Sequence, residues 1–301
     1  MKKLNCLKPA HLILRAFYKI AGFDIKGDWK CPSKPDRGVL LSCLIISNKL
    51  SFLKNILEDL MFQTLPQEEF EVVVVFDGPQ SGVPELIEGF RRHLTIQLHI
   101  NATPVRTLSD LRNMSLAMSQ GQFILFLDDD SRIFQKDFLE MAMVFLKEAR
   151  CDILIPQAHS LYSIVNKHYG FLDKFSFTCR CSFYHRKIIE EAGGFLKGLQ
   201  AYEDTELSIR LMINKPRVQY MEELNYFHPP LYFDSMRKPL AIGQTIFQIR
   251  RHYSFLVWLL VYFNALRFLP YGLIPNNVCR QWFKISLGVA LYPFTGKSYY
   301  Y

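Results

Sequence analysis

Three short apolar runs constrain this chain most: Val39 to Ile46, Glu71-Val72-Val73-Val74-Val75-Phe76 and Phe123 to Leu127. They are too short for buried helices, and a run without polar alternation is a strand covered on both faces, as in a parallel sheet. A helical pattern from Leu50 to Phe62 separates the first two. A further strand is expected near Leu98-His99-Ile100, then a helix from about Ser109, its expected N-cap, to Ser119, closed by Gly121. Strand alternating with helix is the start of a doubly wound α/β fold. Ligands of such sheets sit beyond the carboxyl ends of the strands, where this sequence has Asn48, Asp77 and Asp128.

The 301 residues, 50% apolar and 21% charged, suffice for one large or two small cores and exclude a disordered or collagen-like chain. The net charge of +8 is localised: Met236 to Tyr301 holds eight basic residues and no Asp or Glu, leaving 28 of each sign before it. A neutral body with a basic tail does not point to nucleic acid as a partner. Seven scattered cysteines, with no CxxC pair, argue against a disulfide framework or zinc site and fit a reducing, cytoplasmic compartment. Cys179 and Cys181 read as packing residues. The longest apolar run near the N-terminus, Leu12 to Leu14, is too short for the core of a signal peptide. Pro9 to Gly22 reads as an amphipathic helix, either packed on the protein's own core or lying on an anionic membrane. Glycines and prolines among charges mark residues 24–38 as a linker. The chain therefore divides into residues 1–37, a body over 38–235, and a helical tail over 236–301.

Leu127-Asp128-Asp129-Asp130 sets three carboxylates directly after an apolar strand. On extended chain, residues i and i+2 point the same way, so Asp128 and Asp130 converge while Asp129 faces away. Two converging carboxylates suit a hard divalent cation, Mg²⁺ or Mn²⁺. A solvated acidic turn capping the next helix is the alternative.

These blocks, in their order, resemble a family 2 glycosyltransferase of the GT-A fold over roughly residues 38 to 230. Ile45-Ile46-Ser47-Asn48-Lys49 is similar to the end of the family's first strand, and Gln63-Thr64 to its Gln-Thr turn. Val74-Val75-Phe76-Asp77-Gly78 resembles Asp-Asp-Gly, Arg112-Asn113 the helical Arg-Asn, and Phe126 to Asp130 the DxD motif. Glu191-Ala192-Gly193-Gly194-Phe195 and Tyr202-Glu203-Asp204 are similar to the Gly-Gly-Phe and Glu-Asp motifs. The resemblance implies that Asn48, Asp77, Arg112, Asp128 and Asp129 contact the nucleotide sugar, and that His228 joins Asp128 and Asp130 in the metal shell. Inverting transfer needs a base for the acceptor hydroxyl and positive charge at the departing diphosphate. Asp204, at the start of an apolar-periodic helix, is the expected base or otherwise that helix's N-cap, with Glu203 orienting the site. The sequence departs from the family pattern where Ile45-Ile46-Ser47 replaces Pro-Thr-Tyr and Phe76 replaces the first Asp of Asp-Asp-Gly.

The tail contains Phe255 to Phe263, wholly apolar, and a second apolar piece from Ile285 to Phe294. His252 to Leu266 is shorter than the ~20 residues of a straight crossing, so the tail is expected to form interfacial or re-entrant helices held by Trp258, Trp282 and its basic residues, or else a cap on the body. Gln248-Ile249-Arg250-Arg251-His252 resembles the Gln-x-x-Arg-Trp motif of processive synthases with His in place of Trp, which points to addition of one sugar. The expected function is metal-dependent, inverting transfer from a nucleotide-diphosphate sugar, a UDP-sugar first, to a glycan or lipid-linked acceptor at the cytoplasmic membrane face, in polysaccharide biosynthesis. A sugar nucleotidyltransferase and a non-catalytic sugar-nucleotide or glycan-binding scaffold are the alternatives; the first usually carries a glycine-rich loop that Ile46-Ser47-Asn48-Lys49 lacks. The aromatics Tyr162, Tyr169, Phe171, Phe175 and Phe177 form either the acceptor side of the cleft or core.

Overall fold

Leu41, Cys43 and Ile45 of strand β1 (Leu41–Ser47) enter one hydrophobic cluster, while Leu44 between them enters another on the opposite face of the sheet. Strand β4 (Phe123–Asp128) repeats this, with Phe123, Leu125 and Leu127 on one side and Ile124 and Phe126 on the other. Successive strand side chains alternate between faces, so a run apolar at every position is stable only between two covering layers. The computed structural model describes residues 25–27, 29–30, 38–78, 82–101, 107–149, 151–160, 179–213, 216–229 and 232–299. The expected helix at Pro9 to Gly22 and the aromatics Tyr162, Tyr169, Phe171, Phe175 and Phe177 lie outside those residues.

Seven strands form one sheet in the order β3-β2-β1-β4-β6-β5-β7. Strands β1, β2 (Phe70–Asp77), β3 (Ile96–Asn101) and β4 are mutually parallel, β6 (Cys181–His185) runs antiparallel to β4 and β5 (Ile153–Ser160), and β5 pairs in parallel with β7 (Val218–His228). Helices α1 (Leu50–Met61), α2 (Val83–Phe90), α3 (Leu108–Met118) and α4 (Phe138–Ala149) connect or follow the first four strands. Helix α2 has no counterpart in the sequence reading. The N-cap of α3 is Thr107, in a capping box with Asp110, rather than Ser109. Ser109 lies inside the helix, where its Oγ accepts from the Leu199 amide at 2.9 Å.

The stretch read as a linker is partly tied down: the Gly27 and Trp29 amides donate to the carbonyls of Ala192 and Gly193 at 2.8 and 3.0 Å, and Trp29 is buried. Gly193 and Gly194, after helix α5 (Arg186–Glu191), have φ of 70° and 64°. A Cβ on Gly194 would lie 2.6 Å from Asn113 Oδ1 and 2.7 Å from Trp29 Cβ, so this turn requires glycine for both conformation and space.

The tail forms helices α7 (Arg237–Gln248), α8 (Phe255–Leu266) and α9 (Asn277–Leu291), which follow α6 (Glu203–Ile213) and β7. Their inner sides join the body: Ile249, Tyr253, Val257, Trp258 and Val261 pack with Leu196 and Leu199, and Ile242, Ile246, Ala265 and Val289 pack with Ala201 and Phe233. The tail thus braces residues 195–201, the approach to Glu203 and Asp204. Helices α7 and α9 touch at glycines, since a Cβ on Gly243 would meet the Gly288 carbonyl at 2.7 Å. Helical structure continues past α8 to Leu273, so Phe255–Leu273 makes 19 residues long and apolar enough to cross a membrane by length and composition, beyond the fifteen-residue piece read from sequence.

Candidate active site

The carboxyl ends of the parallel strands open onto a cleft of about 1310 Å³ lined by Asn48, Asp77, Arg112, Asp128, Asp129, Asp130, Glu203 and Asp204. Strand pairing accounts for the convergence: Ile46 of β1 is in register with Asp128, and Ser47 with Phe76, so adjacent strands end together.

Strand β4 stops at Asp128, and Asp129 and Asp130 belong to the following turn. Strand alternation therefore does not set their directions, as the sequence reading assumed; particular hydrogen bonds do. Ser47 Oγ donates to Asp129 Oδ2 at 2.6 Å and draws that carboxylate toward β1. Asp128, Asp130 and His228 each bring a ligand atom within 4.8 Å of the others, the spread a single cation can bridge. His228 Nε2 is 3.1 Å from Asp130 Oδ1 and 3.8 Å from Asp128 Oδ2, and it reaches the carboxylates from the end of β7, behind the residues that line the cleft.

The electrostatics distinguish the three acids. Burial opposes ionisation of Asp128, but His228 and Arg112 outweigh it and hold its carboxyl well below the usual range. Burial and the two neighbouring aspartates push Asp129 up to about 6, against the Ser47 hydrogen bond that favours its charged form. His228 loses by burial and gains more from its contacts with Asp128 and Asp130, which raise it to about 8. Two carboxylates with an imidazole within reach of one another fit a hard divalent cation.

Arg112, buried on α3, donates through Nε to Glu203 Oε1 at 2.8 Å and through Nη2 to Asp128 Oδ1 at 3.2 Å. It couples the end of β4 to the helix that carries Asp204, with its guanidinium 5.8 and 6.0 Å from the centroids of the Phe126 and Phe195 rings. Glu203 is buried; desolvation and Asp204 push it up to about 7 against the pull of Arg112. Asp204 reaches the cleft in the first turn of α6 and accepts from the Thr205 amide at 2.6 Å; the helix starts at Glu203, so Asp204 is inside it and not its N-cap. Tyr202, just before, has φ of 68°, a left-handed conformation that costs a non-glycine residue of order 1 kcal/mol or more. The turn is held by a buried pair: Arg210 binds both oxygens of Glu206 at 2.6 and 2.7 Å and the carbonyls of Ala192 and Gly194, and Tyr253 Oη donates to Glu206 at 2.8 Å.

At the ends of β2 and β1, Asp77 Oδ1 accepts from Asn101 Nδ2 at 2.7 Å, and Asn48 is exposed. Gln63 and Thr64 serve the site indirectly. Gln63 binds the Gln135 carbonyl and the Leu139 amide, and the Thr64 amide donates to Lys136, so the turn before β2 clamps the segment that follows the three aspartates. Sequence reasoning missed the far wall of the cleft, where Arg237, Lys238, Arg267, Phe268 and Trp282 come from the tail helices. Their signal is present in the sequence as basic residues without acids, which reads there as a membrane-associating region or else a cap on the body.

Residues 43–163 match the family described as Glycosyl transferase family 2. Among curated proteins, the poly(ribitol-phosphate) beta-N-acetylglucosaminyltransferase TarS of Staphylococcus aureus is 32% identical over 108 residues, 36% of this chain and 19% of the relative. The match thus spans about a fifth of that relative's length. Solved structures share the fold: S. aureus TarS 1-349 in complex with UDP-GlcNAc aligns with a TM-score of 0.57 at 20% identity, covering 72% of this chain and 68% of that one. The mannosyltransferase PcManGT from Pyrobaculum calidifontis, in complex with GDP-Man and Mn2+, aligns with a TM-score of 0.61 at 14% identity, covering 96% and 97%.

Proposed function

We propose that this chain, which carries a family 2 glycosyltransferase domain of the GT-A fold, moves a sugar with inversion from a nucleotide-diphosphate sugar, a UDP-sugar first, to a glycan or lipid-linked acceptor at the cytoplasmic face of a membrane. The observation that carries this reading is the shared cleft: Asp128 and Asp130, joined by His228, and Asp204 lie at the carboxyl end of one sheet with Arg112 and Glu203 between them.

Asp128, Asp130 and His228 would hold Mn²⁺ or Mg²⁺, which supplies positive charge for the departing nucleoside diphosphate. Asp77 accepts a hydrogen bond from the base, while Asn48 lines the donor side. Asp204 takes the proton of the acceptor hydroxyl as that oxygen forms its bond to the anomeric carbon and the bond to the diphosphate oxygen breaks. It sits in the first turn of α6, where its side chain reaches the cleft. Arg112 positions Asp128 and Glu203 relative to each other, and Glu203 fixes the start of α6 under Asp204.

The test is a thermal-shift panel of nucleotide sugars with Mn²⁺, followed by transfer assays and NMR of the product's anomeric configuration. A donor at about 100 times its dissociation constant adds about 2.7 kcal/mol of stability. The reading requires a shift for at least one nucleotide sugar, its loss with EDTA, and an inverted anomeric centre. A retained configuration, or donor-independent melting across the panel, contradicts it.

A further inference from the structure

Thirteen large hydrophobic residues are exposed among the described residues, and nine of them fall between Phe255 and Phe294. Helix α8 explains the concentration. Val257, Trp258, Val261 and Ala265 form its inner stripe, packed on the body, yet Leu256, Leu260 and Phe263, spaced as neighbours along a helix, form a second apolar stripe facing out at 57, 37 and 61% exposure. A helix apolar on all sides is ordinarily enclosed on all sides. Here the outer side continues, past Arg267, into Leu273 and Ile274, exposed at 88 and 46%.

A bilayer crossing would strip Val257, Trp258 and Val261 from their packing against Leu196 and Leu199, and would carry Arg267 into hydrocarbon. An in-plane arrangement keeps both. The rim of the patch is cationic: Arg250, Arg251, Arg267 and Arg280 are exposed, Arg250 stacks over Phe255 and Trp258, and no acid follows Asp234 in the sequence. An apolar strip accompanied by exposed arginines complements one surface chemistry: acyl chains beneath anionic headgroups.

We infer that the outer stripe of α8, with Leu273 and Ile274, lies in the headgroup region of an anionic phospholipid bilayer. The C-terminal end of the same helix supplies Asn264, Ala265 and Arg267 to the cleft, so this docking sets the cleft beside the lipid surface. That consequence for the acceptor rests on the transfer reading above; the docking itself does not.

The test uses the full chain and vesicle flotation. It should float with phosphatidylcholine–phosphatidylglycerol vesicles and stay in solution with phosphatidylcholine alone; about 1 M salt, where the Debye length is ~3 Å, should weaken attachment without releasing it. Leu256→Gln, Leu260→Gln and Phe263→Gln combined should abolish flotation at every salt concentration, while its melting temperature and any donor-induced shift stay as in the parent chain. Arg280→Gln should lower partitioning roughly fivefold at low salt only. A parent chain that stays in solution with anionic vesicles at low salt overturns the inference. So does a dimer that the triple variant dissociates, since a second copy then covers the stripe. Flotation without donor binding would leave the docking standing and contradict the transfer reading instead.

Discussion

Ser47, the last residue of β1, donates its hydroxyl proton to Asp129 at 2.6 Å and so separates the middle aspartate from the pair that faces His228. Three adjacent carboxylates are thereby divided into one hydrogen-bonded to β1 and two that can act together. His228 and Arg112 hold the Asp128 carboxyl well below its usual range, whereas burial and the neighbouring aspartates push Asp129 up to about 6.

Asp130→Asn should therefore weaken Mn²⁺-dependent donor binding by at least about tenfold and nearly eliminate transfer, the effect expected for losing a metal ligand. Asp129→Asn keeps an acceptor for Ser47 and should change donor affinity less. Calorimetric titration of donor into each variant at saturating Mn²⁺ decides this; equal losses in two folded variants would rule out the division.

Glu203 predicts a pH signature in stability. Its folded value, raised by burial and Asp204 against Arg112, is about 7 against an ordinary 4.5. Between these values the folded chain keeps a proton that the unfolded chain has released, so the contribution of Glu203 is full below the lower value and declines as pH rises through the upper one. Glu203→Gln retains the acceptor for Arg112 and cannot titrate. The difference in melting temperature between parent and variant should shift in the variant's favour from about pH 4.5 to about pH 7.5; a difference independent of pH would refute the assignment.

Gly194→Ala places a methyl group against Asn113 and Trp29 at a φ of 64°. Strain and overpacking together should cost at least about 2 kcal/mol in denaturant unfolding. A loss below about 0.5 kcal/mol, the range of ordinary surface changes, would mean that the turn relaxes.

The strands and the acidic turn are legible in the sequence because their signals are local. Both faces of β1 and β4 are covered, which leaves uninterrupted apolar runs, and Asp128 to Asp130 are contiguous. Helix α2 escapes notice because it is eight residues long and includes Pro84 and Gly89. The Arg112–Glu203 bond joins residues 91 apart, and no periodicity reports such a pairing. Reasoning from i, i+2 alternation assigned the aspartate directions on extended chain, but the strand ends at Asp128, so the arrangement depends on Ser47 and His228, far away in sequence. The tail shows the opposite case: its composition announces an amphipathic region, while its second role, as a wall of the cleft, depends on packing against Leu196, Leu199 and Ala201.

The most direct measurement is the comparison of Asp204→Asn with the parent chain, in donor affinity by calorimetry with Mn²⁺ and in turnover of the same nucleotide sugar. With Asp204 as the base, affinity stays close to that of the parent chain while turnover falls roughly 10²-fold or more. Turnover retained in the folded variant would contradict the account, as would a loss of donor affinity that matches the loss of rate.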